Sequence, residues 1–111
     1  MAVHNKFEIL RYQTDEGEQP YTDWVHGLKD RRAANLIHTR VDRLESGHFG
    51  TVRHIDGKVW EMKIDFGPGY RVYYLRDGHR IVILLSGGDK SSQERDIRRA
   101  EQYAADYGRR K

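Results

Sequence analysis

The sequence predicts an α/β domain of the α+β kind, ordered β-α-α-β-β-β-β-α, with a mostly antiparallel sheet. Three observations carry that prediction. Apolar residues recur at helical spacing from Pro20 to Leu44, and after Gly47 the period drops to two. Ser91-Ser92-Gln93-Glu94 then has the spacing of a helix-start box ahead of a final helical stretch.

Lys6 to Tyr12 alternates as a first strand, with Phe7 and Ile9 on one face. Pro20 suits the first position of a helix, where its missing N–H leaves nothing unpaired, and Tyr21, Trp24, Val25 and Leu28 follow as its apolar side. Asp30 is placed to cap a second helix reaching about Ser46, with Ala33, Ile37, Val41 and Leu44 as its stripe and Gly47 as its stop. Val52–Ile55 and Val59–Asp65 flank Asp56-Gly57, a hairpin signal, since both residues tolerate positive φ. Trp60, Met62 and Ile64 then share one face, leaving Glu61 and Lys63 on the other. Gly67-Pro68-Gly69 breaks the chain before a strand from Tyr70 to Arg76. Asp77-Gly78 turns into His79–Leu85, whose continuous apolar run predicts a central strand covered on both faces. Ser86-Gly87-Gly88-Asp89 is expected as the exit loop. The last helix should bury Gln93, Ile97, Ala100, Ala104 and Tyr107 and stop at Gly108. Residues 1–111 are read as a single domain without repeat or linker.

The absence of cysteine excludes disulfides, thiolate metal sites and cysteine nucleophiles, and suits a reducing compartment. No apolar run approaches the roughly 20 residues of a membrane helix, and Met1 to Lys6 lacks a signal-peptide core, so a cytoplasmic location is expected. Lys and Arg number 20 against 17 Asp and Glu. Much of the basic charge falls in Lys29–Arg43, Arg53–Lys63 and after Lys90, a distribution open to nucleic-acid contact without requiring it.

Asp89-Lys90-Ser91 invites comparison with a phosphate loop, but Asp89 stands where that motif needs glycine. What remains is a helix start with Lys90 beside it, able to hold one phosphate or simply an ordinary connection. Arg71 alternates onto the face of Tyr73 and Leu75, next to the Gly-Pro-Gly break. If that face is also the face of Glu61 and Lys63, one sheet surface gathers two cations and a carboxylate, a set able to bind a phosphodiester and move a proton. The six histidines include no pair at the spacing of a helical zinc site, and no clustered carboxylates suggest a metal nuclease, so neither metal nor cofactor is expected. His54, beside Arg53, is either a surface histidine or a group for acid–base work. Trp24, Trp60 and most tyrosines are read as packing; Tyr73 has a second option, stacking on a base.

The blocks Gly57-Lys58-Val59-Trp60-Glu61-Met62-Lys63, Gly67-Pro68-Gly69-Tyr70-Arg71-Val72-Tyr73-Tyr74 and Gly87-Gly88-Asp89-Lys90-Ser91-Ser92-Gln93-Glu94-Arg95-Asp96-Ile97, in this order, resemble the addiction-module killer branch of RelE/ParE toxins. These HigB-like proteins are also described as phage Gp49-like, and the resemblance spans Lys6 to about Ala105. It implies a compact RelE-like domain and a type II toxin neutralised by an antitoxin from the adjacent gene, usually a helix-turn-helix protein. It also implies metal-independent cleavage of mRNA on the ribosome, in which the RNA 2′-OH is the nucleophile. By this resemblance Arg71 stabilises the transition-state phosphate and Lys90 is a second catalytic cation. Glu61 and His54 are candidates for base or acid. Lys63, Lys58, Arg53 and Tyr73 are candidates for RNA binding. Lys63 stands where the branch often carries arginine, and Asp96 stands nearest the place of a helix tyrosine in RelE-type enzymes, so the general acid is open. The same fold also admits a ParE-like gyrase inhibitor without catalysis, or an inactive relative that binds only antitoxin or RNA.

Overall fold

The computed structural model describes residues 6–111; Met1 to Asn5, with His4 and most of the stretch examined for a signal peptide, lie outside the described residues. The strands are β1 (Glu8–Arg11), β2 (Val52–Asp56), β3 (Val59–Ile64), β4 (Tyr70–Asp77) and β5 (Ile81–Asp89). The helices are α1 (Pro20–His26), α2 (Arg31–Asp42) and α3 (Gln93–Arg110). The expected order of elements is therefore the observed one. One five-stranded sheet forms in the order β1-β5-β4-β3-β2, with β1 parallel to β5 and every other pair antiparallel.

Each face of the sheet carries its own apolar cluster. On the first, Tyr21, Val25, Ala33, Ile37, Val41 and Leu44 from α1, α2 and the following turn meet Met62, Ile64, Val72, Tyr74 and Leu84. A fully buried Ile37 or Leu44 contributes about 1.5–3 kcal/mol by leaving water. On the second, Ala100, Ile97, Tyr103 and Tyr107 of α3 pack on Tyr73, Leu75, Ile83 and Leu85. The apolar run of β5 is thus buried on both sides, as its sequence predicts.

Local chemistry sets the ends of these elements. Asp30 caps α2, its carboxylate accepting from the Arg32 and Ala33 amides at 3.0 and 3.2 Å. Gly47 ends the short 3₁₀ turn that continues α2, with φ +86°. The first hairpin corrects its sequence reading by one residue. Asp56 pairs with Val59, so the turn residues are Gly57 and Lys58, and Gly57 alone takes positive φ.

Three further expectations are corrected. Ser86 to Asp89 is no exit loop: it is the last half of β5, paired with Tyr73 to Tyr70 of β4. The glycines answer to packing on both sides of the strand. A Cβ on Gly87 would sit 2.2 Å from the Trp24 ring of α1, and one on Gly88 would collide with the Asp96 carboxylate of α3. An irregularity between Tyr73 and Tyr74 leaves Leu85 as an extra residue and lets the strand run on in a new register. Gly108 does not stop α3, which continues to Arg110 because the Arg110 guanidinium holds Asp106 and the Gln13 carbonyl. The start of α3 also differs from the expected box. Asp89 accepts from the Ser91 amide and hydroxyl, while the Ser92 hydroxyl donates to Asp96. Among the described residues no helix is long and apolar enough to cross a membrane.

Candidate functional site

The register of β2 to β5 lines up the polar residues of the α3 face in two rows. Lys63 pairs with Arg71 and Arg71 with Gly88; Arg53 pairs with Glu61, Glu61 with Tyr73 and Tyr73 with Ser86. Because side chains alternate across a strand, Arg53, Glu61, Lys63 and Arg71 emerge on one side. They line a cleft of about 300 Å³ with Thr51, Val52 and Gln93.

Glu61 is the centre of this cleft and is only 4% exposed. Its Oε1 lies 3.3 Å from Arg53 Nε, its Oε2 3.7 Å from Arg71 Nε, and Gln93 Nε2 of α3 donates to Oε2 at 2.9 Å. Arg71 is 7% exposed, so its guanidinium is covered even though it lies next to the Gly-Pro-Gly break. The helix start and the opposing carboxylate cover it. Arg71 Nη1 donates to the Gly69 carbonyl at 2.9 Å, and Nε is buried without a hydrogen bond.

The root of the Lys90 side chain lies across Gly69 from Arg71. A Cβ placed on Gly69 would lie 3.4 Å from Arg71 Nη1 and 3.9 Å from Lys90 Cβ, so one loop residue separates the two cationic chains. Gly69 holds φ +81°, the turn that β4 needs to start immediately after the break. Lys90 itself is exposed. The neighbouring Asp89 carboxyl is held below its ordinary range, first by the Ser91 hydroxyl and also by the charge of Arg71.

Two proposed residues are not brought together with this set, and a third, Tyr73, lies in its row but is covered. His54 pairs with Trp60 on the opposite face, its ring 4.9 Å from the indole and its Nε2 2.6 Å from the Gly57 carbonyl. Lys58 occupies the hairpin tip at the far end of β3 from Lys63. Tyr73 is 0% exposed beneath α3, so it offers no face on which a base could stack. Burial, and next the charge of Glu61, push its hydroxyl well above the ordinary tyrosine range, leaving a neutral donor.

Other polar groups of this face escaped sequence reasoning. Gln93 reads as part of an apolar stripe yet binds Glu61. Ser86 and Asp96 are buried at 8% and 7% exposure. The one available signal was a run of polar and small residues continuing a buried strand. Among the described residues, no group of three or more His, Cys, Asp or Glu side chains is placed to hold a metal ion. Chemically, the cleft offers several cations and a carboxylate within reach of one another, a set able to take an anion and exchange a proton beside it.

Comparison with known proteins agrees on a relationship covering most of the chain. Residues 23–105 match the family described as phage derived protein Gp49-like. An uncharacterized protein of Haemophilus influenzae is 41% identical over 88 residues, which cover 79% of this chain and 89% of that protein. The matched span runs from the middle of α1 through most of α3 and includes every residue of the Glu61 cleft. The chain belongs to the phage-derived Gp49-like protein family.

Proposed function

We propose that this protein is the toxin of a type II toxin–antitoxin pair, a RelE-like endoribonuclease that cuts mRNA on the ribosome and is neutralised by a helix-turn-helix antitoxin. The observation that carries the reading is the gathering of Arg71, Lys63 and Arg53 about one buried carboxylate, Glu61, with the root of Lys90 across Gly69 from Arg71. RNA brings its own nucleophile, the 2′-OH, so the protein has to supply a proton acceptor, countercharge and a proton donor. Glu61 is the acceptor in this scheme. Arg71, with Lys90 at the rim, faces the charge that develops on the phosphate; a donor aimed at such charge is worth about 10²–10³ in rate. Lys63 and Arg53 hold the flanking backbone. His54 has no part, being on the other face.

The test is induction of the chain without its antitoxin, comparing wild type with Arg71→Ala and mapping mRNA ends on isolated ribosomes. Growth arrest with new 5′ ends in the wild type, lost in a folded Arg71→Ala, is the expected result. Full toxicity of that variant would remove Arg71 from the mechanism.

One observation favours a second reading, in which the protein binds its target without catalysis, as ParE-like gyrase inhibitors do. Arg71 is already occupied by Glu61 and buried. Dose-dependent loss of gyrase supercoiling with mRNA left intact would select that reading.

A further inference from the structure

We infer that a second cleft, at the free edge of β5, is a base pocket that reads a guanine of the same RNA; its ligand class rests on the nuclease reading above. β1 accompanies β5 only as far as Leu84, so the outer edge from Ser86 to Asp89 has no strand beside it among the described residues. α1 and α3 flank that gap and leave a cleft of about 250 Å³. Its lining includes Trp24, Tyr103, Ser86, Asp96, Arg95 and Arg99. Two of these are polar side chains more than nine-tenths buried. The Ser86 hydroxyl has no hydrogen-bond partner, and Asp96 lies against Gly88, where any Cβ would displace its carboxylate. A buried hydroxyl left unpaired in a cleft wall is a group waiting for a ligand atom.

The cleft is linked to the Glu61 site by shared walls. Ser92 and Arg95 also line the groove over the start of α3 that holds Lys90 and Arg98, and Gln93 joins that groove to the cleft of Arg71. A single strand bending around the helix start would pass Arg95, Arg98 and Lys90, with Glu94 the one carboxylate of that groove. In the pocket the donor pattern selects the base. A carboxylate only accepts, and guanine is the base whose pairing edge puts two donors, N1–H and the N2 amino group, side by side. Adenine and cytosine set an acceptor beside their amino group, and uracil flanks its single N–H with two carbonyls. Asp96 Oδ2 already accepts from Ser92 at 2.5 Å and Oδ1 lies 3.9 Å from the exposed Arg95 Nε, but a carboxylate has about four lone-pair sites, which leaves room for both guanine donors. The Ser86 hydroxyl can donate to guanine O6, the aromatic rings of Trp24 and Tyr103 border the base, and the exposed Arg95 and Arg99 stand at the mouth for its phosphate.

The experiment is titration of the full chain with GMP, IMP, AMP and UMP, followed by NMR or calorimetry. IMP lacks only the N2 amino group, so GMP should bind about tenfold more tightly than IMP, one charged hydrogen bond's worth. Asp96→Asn should bring GMP and IMP level. Arg99→Ala, an exposed change that spares the fold, should weaken all four nucleotides by the same factor. Should Asp96→Asn fail to fold, Ser86→Ala serves instead, weakening GMP and IMP alike without lowering stability. Equal binding of GMP and UMP, or an unchanged preference in a folded Asp96→Asn, overturns the pocket. Because binding is read without cleavage, guanine selectivity in a chain that cuts no mRNA would keep the pocket and defeat only the nuclease reading.

Discussion

Gly87→Ala gives the sharpest check on the packing that extends β5, because the sign of its effect is diagnostic. Gly87 does not take positive φ, so alanine fits its backbone. With free space beside it, the change would stabilise by about 0.4–1 kcal/mol through the unfolded chain. The space is not free. The new Cβ would stand 2.2 Å from Cε3 and Cζ3 of Trp24 and 2.6 Å from Cδ2, where carbon atoms rest at about 3.5–4.0 Å. The indole would have to retreat by more than 1 Å, roughly, on that contact distance. It is hemmed by Tyr21 and Tyr70, with ring centroids at 6.1 and 6.3 Å, and α1 is anchored by the fully buried Tyr21 and Val25. Overpacking of this kind costs about 1–3 kcal/mol, and the upper end applies to a rigid ring. For a domain of this size that is a fall of about 10 °C in Tm, or a lower urea midpoint at unchanged m value. In a Trp24→Ala background the same Gly87→Ala should be neutral or stabilising, which isolates the contact as a coupling energy. A neutral or stabilising Gly87→Ala in the wild type would refute the account of why this segment is glycine.

Glu61→Gln leaves Arg71 buried without its nearest countercharge and should cost about 3 kcal/mol, the low end for a broken buried pair, since Asp89 also feels Arg71. Arg53→Ala removes a partner that is 58% exposed and should cost under about 1 kcal/mol; equal losses in urea unfolding would show that Arg71 is not what Glu61 chiefly serves. The Asp77 carboxyl is lowered first by the Lys111 ammonium and next by the Tyr107 hydroxyl, so its contribution is present above the ordinary carboxylate range and lost as pH falls through the depressed value. The last turn of α3 should therefore loosen below about pH 4, visible as NMR line and shift changes for residues 107–111, and Asp77→Asn should remove that pH response. Asp30→Ala should cost about 1 kcal/mol in thermal unfolding by freeing the Arg32 and Ala33 amides, and a loss near zero would mean that water caps α2 equally well.

Much of the fold was legible because it rests on short-range rules. The stripe Ala33, Ile37, Val41 and Leu44 and the cap at Asp30 are properties of one helix turn after another, and they survive unchanged in the structure. The two Asp-Gly hairpins were legible for the same reason, although pairing placed the first turn one residue later and gave the second turn His79 and Arg80, which the sequence reading assigns to the strand. The glycine run Ser86 to Asp89 was not. Glycine beside a strand end ordinarily signals a loop, and only the approach of α1 and α3 from opposite sides turns it into a requirement of the strand.

The candidate site divides along the same line. Residue types, spacing and alternation were enough to put Glu61 and Lys63 on one face of their strand, to single out Arg71 on the next, and to place Lys90 just past the last strand. Alternation says nothing about which strands are neighbours or what lies over them. The pairing of β2, β3, β4 and β5 decided that Arg53 joins this face while His54 faces away, and the docking of α3 decided that Arg71 and Tyr73 are covered. By itself the sequence determined the elements and their polar faces, because those follow from contacts within a few residues. Tertiary structure alone decided which charges meet and which are buried, since charge pairing and loss of water depend on groups far apart along the chain, such as Glu61 and Gln93.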